Sequence, residues 1–218
     1  EAIDITGLYP QALTPGDTVR GENWLAGDYT LPGALVKVAN TSPFDVPVAN
    51  SQWLASLHGF DWLRHICALS AQRGPTAAAF YVQDWIRRNP VRLKEAMRPD
   101  VTARRLMNWS AAMPTILPAL ERRDIDTIRQ ALSQQSKYLA GCIDEESDGV
   151  RRLTAAFGLA YAGLAFSGDG QWVRQGVEAI LRELRRQLLA DGGHVSRSPA
   201  ILADILNHMI ALEAAMQA

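Results

Sequence analysis

Cysteine is nearly absent: Cys67 and Cys142 are the only two in 218 residues. Each sits in a helical pattern without a CxxC or a Cys/His cluster, which gives no sign of a disulfide framework or a zinc site, so both are read as buried thiols. Long apolar runs are also missing. No uninterrupted stretch approaches the ~18 residues of a membrane span and no basic-then-apolar leader opens the chain, so no membrane span is expected. Neither sign of charge prevails, because 22 basic and 23 acidic residues leave a formal net charge of -1. The whole chain therefore exerts no pull on nucleic acid, and any anion site must be local. No phosphate loop, nucleophile elbow or zincin motif is found, and no cofactor or metal is expected. The absence of a fixed-period repeat and of sustained heptads disfavours a TPR-like array and a coiled coil. The first residue is Glu1 rather than Met, which points to an excised domain or a processed chain.

What is present is an ordinary globular composition, 48% hydrophobic and 21% charged, enough to bury a sizeable core. Residues 1–50 are punctuated by Pro10, Pro15, Pro32, Pro43 and Pro47 and by Gly7, Gly16, Gly21, Gly27 and Gly33, and read as an irregular arm of loops and short strands. Residues 51–218 read as helical. Ser51 is expected to cap a helix reaching about Gln72; Gly74-Pro75 starts a second that stops near Asn89-Pro90; Asp100 caps a third to about Leu120, with Pro114 a potential kink. Asp124 caps a fourth to about Cys142, and a fifth, Val150 to Phe166, is so rich in small residues that it should lie inside. A sixth follows Gly170, and Ser198-Pro199 opens the seventh. Long helices on short connectors imply antiparallel neighbours in a bundle, solenoid or closed toroid.

Three stretches carry a family resemblance: Trp53 to Leu63 (WLASLHGFDWL), Arg98 to Trp109 (RPDVTARRLMNW) and Asp191 to Pro199 (DGGHVSRSP), the last being the most specific. Together with the helices between them, they resemble the helical domain of heparinase II/III-like polysaccharide lyases over roughly residues 50–218. The resemblance implies an all-α fold, an incomplete α/α toroid of antiparallel helix pairs, followed by a C-terminal β-sandwich for which this chain has no strands. It further implies an acidic polysaccharide as partner, the sandwich domain as a second partner, a periplasmic or cell-envelope setting, and β-elimination as the chemistry. In that reaction a base removes the proton beside a uronate carboxylate, donors neutralise the carboxylate, and an acid protonates the leaving oxygen. Matching the family's small-residue segment to Gly158 to Leu164 puts its Asn or His neutraliser at about Val150 or Arg151. The family's Tyr after Ser-Pro falls among Ala200, Ile201 and Leu202. Both catalytic positions are substituted, so the catalytic residues are left unassigned.

The candidate substrate-binding residues are Arg151, Arg152, His194, Arg197, Trp62, Asn108 and Trp109. Arg151 and Arg152 open the small-residue helix, where a guanidinium can bind a carboxylate bidentately; the alternative is a solvated pair. His194 and Arg197 follow two glycines and form a potential donor pair, whereas Ser198 is read as a cap. His58 and His65, spaced i, i+7, are read as satisfied or exposed histidines in preference to a metal pair. Trp53, Trp85 and Tyr161 are expected to be core, with Trp62 or Trp109 as the surface stacking positions. One of Arg104 and Arg105 is expected to form an ion pair with Asp61 or Asp84. Two functions stay open: the helical half of a lyase that binds and cleaves, and a glycan-binding or scaffold toroid without lyase chemistry.

Overall fold

The computed structural model describes residues 7–11, 13–90, 93–145, 149–166 and 170–218. The arm contains a helix where strands are expected: α1, Thr18–Leu25, begins because the Asp17 carboxylate accepts from the Val19 and Arg20 amides at 2.9 and 3.2 Å. Between α1 and residue 50 the chain forms two isolated bridges, Asp28 with Lys37 and Leu31 with Ala34, and a 3-10 turn, Pro43–Asp45. The arm is pinned to the body by the Trp53 indole N–H, which donates to the Tyr29 carbonyl at 2.9 Å, and by Trp24, stacked on Trp62 at 4.1 Å.

The single helix expected from Ser51 to Gln72 is two helices, α2 (Ser51–Gly59) and α3 (Leu63–Cys67). Asn50, not Ser51, is the cap, accepting from the Gln52 and Trp53 amides. The break is at Phe60, whose φ of 60° is left-handed, a conformation costing a side-chain-bearing residue about 1–2 kcal/mol. Burial offsets it: the Phe60 ring is fully buried and meets Trp109 edge-on at 5.3 Å. The same turn swings Asp61 onto Arg104 at 2.6 Å, the ion pair anticipated for one of the two arginines.

Helix α4 (Gly74–Arg88) ends at a left-handed Asn89 before Pro90, and α5 (Pro99–Ile116) runs through Pro114 into a 3-10 turn, Leu117–Ala119. Pro99 occupies the first turn, and Asp100 pairs with Arg98 instead of capping. Then come α6 (Arg122–Cys142), α7 (Val150–Phe166), α8 (Gln171–Gln187) and α9 (Pro199–Gln217), the last capped by Ser198.

Helix α7 is the hub, buried on nearly every side between α5 and α8. Its small residues set the separation. A Cβ on Gly158 would stand 2.4 Å from that of Ala103 on α5, and one on Gly176 of α8 would stand 2.9 Å from that of Ala160. Gly163 meets Val173 while Ala160 meets Gly176, so α7 and α8 run antiparallel. Helix α9 docks on α7 through His208, whose ring lies 5.3 Å from that of Phe157 and whose Nδ1 is 3.3 Å from the Tyr161 hydroxyl. By length and composition α9 is apolar enough to cross a membrane, although Asp204, Asn207, His208 and Glu213 interrupt it. Leu206, Met209 and Ile210 on it are exposed.

Candidate functional site

The start of α7 and the α8–α9 connection are joined by a buried polar network. Glu183 on α8 is 1% exposed, and no aspartate or glutamate can be buried cheaply without partners. It receives Arg186 Nη1 at 3.1 Å, Gln187 Nε2 at 3.1 Å and, at 3.7 Å, Nη1 of Arg152. Arg152 also reaches the Asp144 carbonyl. With its amide nitrogen committed to Glu183, Gln187 has its oxygen free to accept, and it lies 3.0 Å from His194 Nε2. That geometry assigns the ring proton to Nε2, leaving Nδ1 to accept the Ser196 amide N–H at 3.1 Å with the Ser196 hydroxyl 2.7 Å away.

Of the candidates in this region, Arg151 and Arg197 face solvent. Arg197 adopts a left-handed φ of 54° and grips the exposed Asp191 carboxylate at 2.6 Å. That hydrogen bond, with a second from the Gly193 amide, holds the Asp191 carboxyl below the usual range. Arg152 is turned inward and His194 is 3% exposed with both ring nitrogens occupied, so in this conformation they brace the connection and do not present donors to a ligand. The residues behind this arrangement, Glu183 and Gln187, escaped the sequence reading. Their signal was the spacing: Gln187 four residues after Glu183 on one helix face.

Asn108, Trp62 and Trp109 form a separate group. The Asn108 amide donates to the Gly59 carbonyl at 2.8 Å, which makes it a clamp on the end of α2. The stacking role expected of Trp62 or Trp109 is not what the structure presents: they are 3% and 0% exposed, packed against Phe60 at 5.0 and 5.3 Å. Indoles bury more apolar area than any other side chain, and both pack on the buried Phe60 ring, Trp62 from just after the left-handed turn and Trp109 from α5. Arg105 is also fully buried. Its Nη1 donates to the His58 and Ala96 carbonyls at 2.9 and 3.0 Å, Nη2 to Thr102 and Nε to Gln135, and its guanidinium lies 4.2 Å above the Trp85 ring.

His58 and His65 do not share a helix face, since the break at Phe60 separates them. His58 Nδ1 accepts from the Trp85 indole at 3.1 Å and His65 Nδ1 from the Asp17 amide at 2.9 Å. Among the described residues no three His, Cys, Asp or Glu side chains come together as metal ligands. The cysteines are free and half-buried rather than buried, with burial raising the Cys67 thiol to about 11.

Nine α-helices among the described residues, with α5, α6, α8 and α9 packed on α7, define an α/α toroid segment with an irregular arm. The heparinase II/III N-terminus family matches residues 46–218, and the chain belongs to that family. It aligns with heparan sulfate lyase HepC from Pedobacter heparinus at a TM-score of 0.73 and 19% identity, covering 94% of this chain and 35% of that one. A heparinase III gene product aligns at 0.69 and 17% identity, covering 100% and 39%. At such identities the likeness establishes the fold alone. Among curated proteins, FtsZ-localized protein C of Caulobacter vibrioides is 26% identical over 208 residues, 95% of this chain. The chain spans 36% of that relative's length.

Proposed function

We propose that this toroid segment binds an acidic, uronate-bearing polysaccharide and does not cleave it. The observation that carries this reading is the side-chain set at the two catalytic positions of the resemblance: Val150 and Arg151, at the place of the carboxylate neutraliser, open α7, and Ala200, Ile201 and Leu202, at the place of the tyrosine, open α9. None of these can take the proton beside a uronate carboxylate or return one to a leaving oxygen at neutral pH. What they offer is charge. Arg151 stands exposed on the first turn of α7, where the helix dipole already favours anions, and a guanidinium matches a carboxylate bidentately. Arg197 adds a second exposed guanidinium on the α8–α9 connection.

The test is ultraviolet absorbance of the full-length protein incubated with heparan, chondroitin, hyaluronan and alginate, beside affinity electrophoresis in the same glycans. The expected result is no unsaturated uronate, with retardation that Arg151→Ala/Arg197→Ala weakens. Product that accumulates with the wild type and collapses in Arg151→Ala/Arg152→Ala would establish a lyase with relocated chemistry.

A second reading draws on the name of the curated relative, which refers to localisation with FtsZ. In it the toroid is a scaffold for protein placement. A fluorescent fusion that gathers with FtsZ, equally well with and without Arg151→Ala/Arg197→Ala, together with no glycan retardation, would favour it.

A further inference from the structure

Under the arm, against the corner between α2 and α3, lies a cavity of about 550 Å³, within the range of small-ligand sites. A large part of its wall, from Arg20 to Pro32, precedes residue 46, where the family match begins. Both carboxylates in the wall are already committed: Asp28 to Lys37 at 3.1 Å and Asp61 to Arg104 at 2.6 Å. Arg20 and Arg64 are exposed and, among the described residues, have no carboxylate within 4.0 Å. The wall therefore carries two guanidiniums in contact with no carboxylate among the described residues, the Arg64 charge acting on Asp61 only at longer range. Between them stands His65, whose Nδ1 accepts the Asp17 amide, so that Nε2 bears the proton and is a third donor. Asn23, Ser56 and Thr30 add an amide and two hydroxyls, while Leu31, Pro32 and the edges of Trp24 and Trp62 supply apolar surface.

Anionic, hydroxyl-bearing and apolar recognition in one cavity is the combination a uronic acid ring requires. We propose that this cavity is a second glycan site, holding one carboxylate-bearing sugar unit with its carboxylate against Arg20 and Arg64. The ligand class rests on the reading above; the residues are different ones.

Isothermal titration of the full chain with galacturonate trisaccharide, its carboxyl-reduced neutral analogue and hexaglutamate tests this, alongside Arg20→Ala/Arg64→Ala and Arg151→Ala/Arg197→Ala. All four arginine changes are at positions whose charged ends do not hold the core, and thermal melting checks that each variant folds. Expected are binding of the trisaccharide, at least about tenfold weaker binding in Arg20→Ala/Arg64→Ala from the loss of charge-assisted hydrogen bonds, and a similar loss for the neutral analogue. Quenching of indole fluorescence on binding, from Trp24 and Trp62, should disappear in the same variant. The proposal falls if Arg20→Ala/Arg64→Ala binds like wild type, if the neutral analogue binds equally, if hexaglutamate binds more tightly, or if nothing binds. Sensitivity confined to Arg151 and Arg197 would sink this site and keep the first; sensitivity confined to Arg20 and Arg64 would do the reverse.

Discussion

Acidification should weaken this fold through His58. The imidazole is 2% exposed, its Nδ1 accepts the Trp85 indole N–H, and the Arg105 guanidinium donates to the carbonyl of the same residue. Burial first, and the Arg105 charge second, push its pKa from 6.5 down to about 4. In the unfolded chain the ring takes its proton near pH 6.5, so between there and pH 4 the unfolded state binds more protons than the folded one. Stability therefore falls as pH falls through that window. A displacement of this size corresponds to about 3 kcal/mol lost on going from pH 7 to pH 4. Urea unfolding at both pH values, for wild type and His58→Gln, measures it. Glutamine can still accept from Trp85 but does not titrate, and the depressed His65 and His208 are present in both proteins and cancel. Equal losses in the two proteins would refute the assignment.

Gly158→Ala should destabilise by about 1–3 kcal/mol, because the new methyl group meets the Ala103 backbone and cannot be relieved by a rotamer change. Gly141→Ala, on α6 with open space around it, should change stability by no more than about 1 kcal/mol in the favourable direction; thermal melts compare the two. Trp109→Ala should cost about 3–5 kcal/mol in urea unfolding while leaving glycan affinity of the folded protein unchanged, which separates a core role from a stacking role. Glu183→Gln leaves Arg152 and Arg186 without their buried anion and should cost about 2 kcal/mol, with amide exchange rising along Gly193 to Ser198 if the network braces that connection.

The helices from α4 onward were legible where their ends are written in proline, glycine or a capping serine, since Gly74-Pro75, Asn89-Pro90, Gly170 and Ser198-Pro199 coincide with observed boundaries, whereas Asp100 and Asp124, expected as caps, lie inside the first turns of α5 and α6. Helix α7 was legible in full from its run of small residues. The arm was not. Its eight-residue helix sits in a stretch dense in glycine and proline, and only the Asp17 cap announces it. The break at Phe60 leaves no mark either, since its left-handed backbone follows from where the ring is buried and not from local preference. The candidate site divided on the same principle. Exposure of Arg151 and Arg197 fits their places at a helix start and on a glycine-opened connection, whereas the inward turn of Arg152 and His194 depends on Glu183 and Gln187, tertiary partners that no motif encodes.

The burial of Arg105 has a consequence for how the protein comes apart. Its guanidinium is satisfied only when the end of α2, the segment before α5 and the middle of α6 are all in place, through acceptors 47, 9 and 30 residues away in the chain. No carboxylate shares the work among the described residues, so detaching any one of those segments strands a charged donor in a nonpolar interior. Partially opened forms that keep some of these contacts are thereby disfavoured, and the three segments are tied into one cooperative unit that opens together. A single side chain in this way converts local fraying into an all-or-none event.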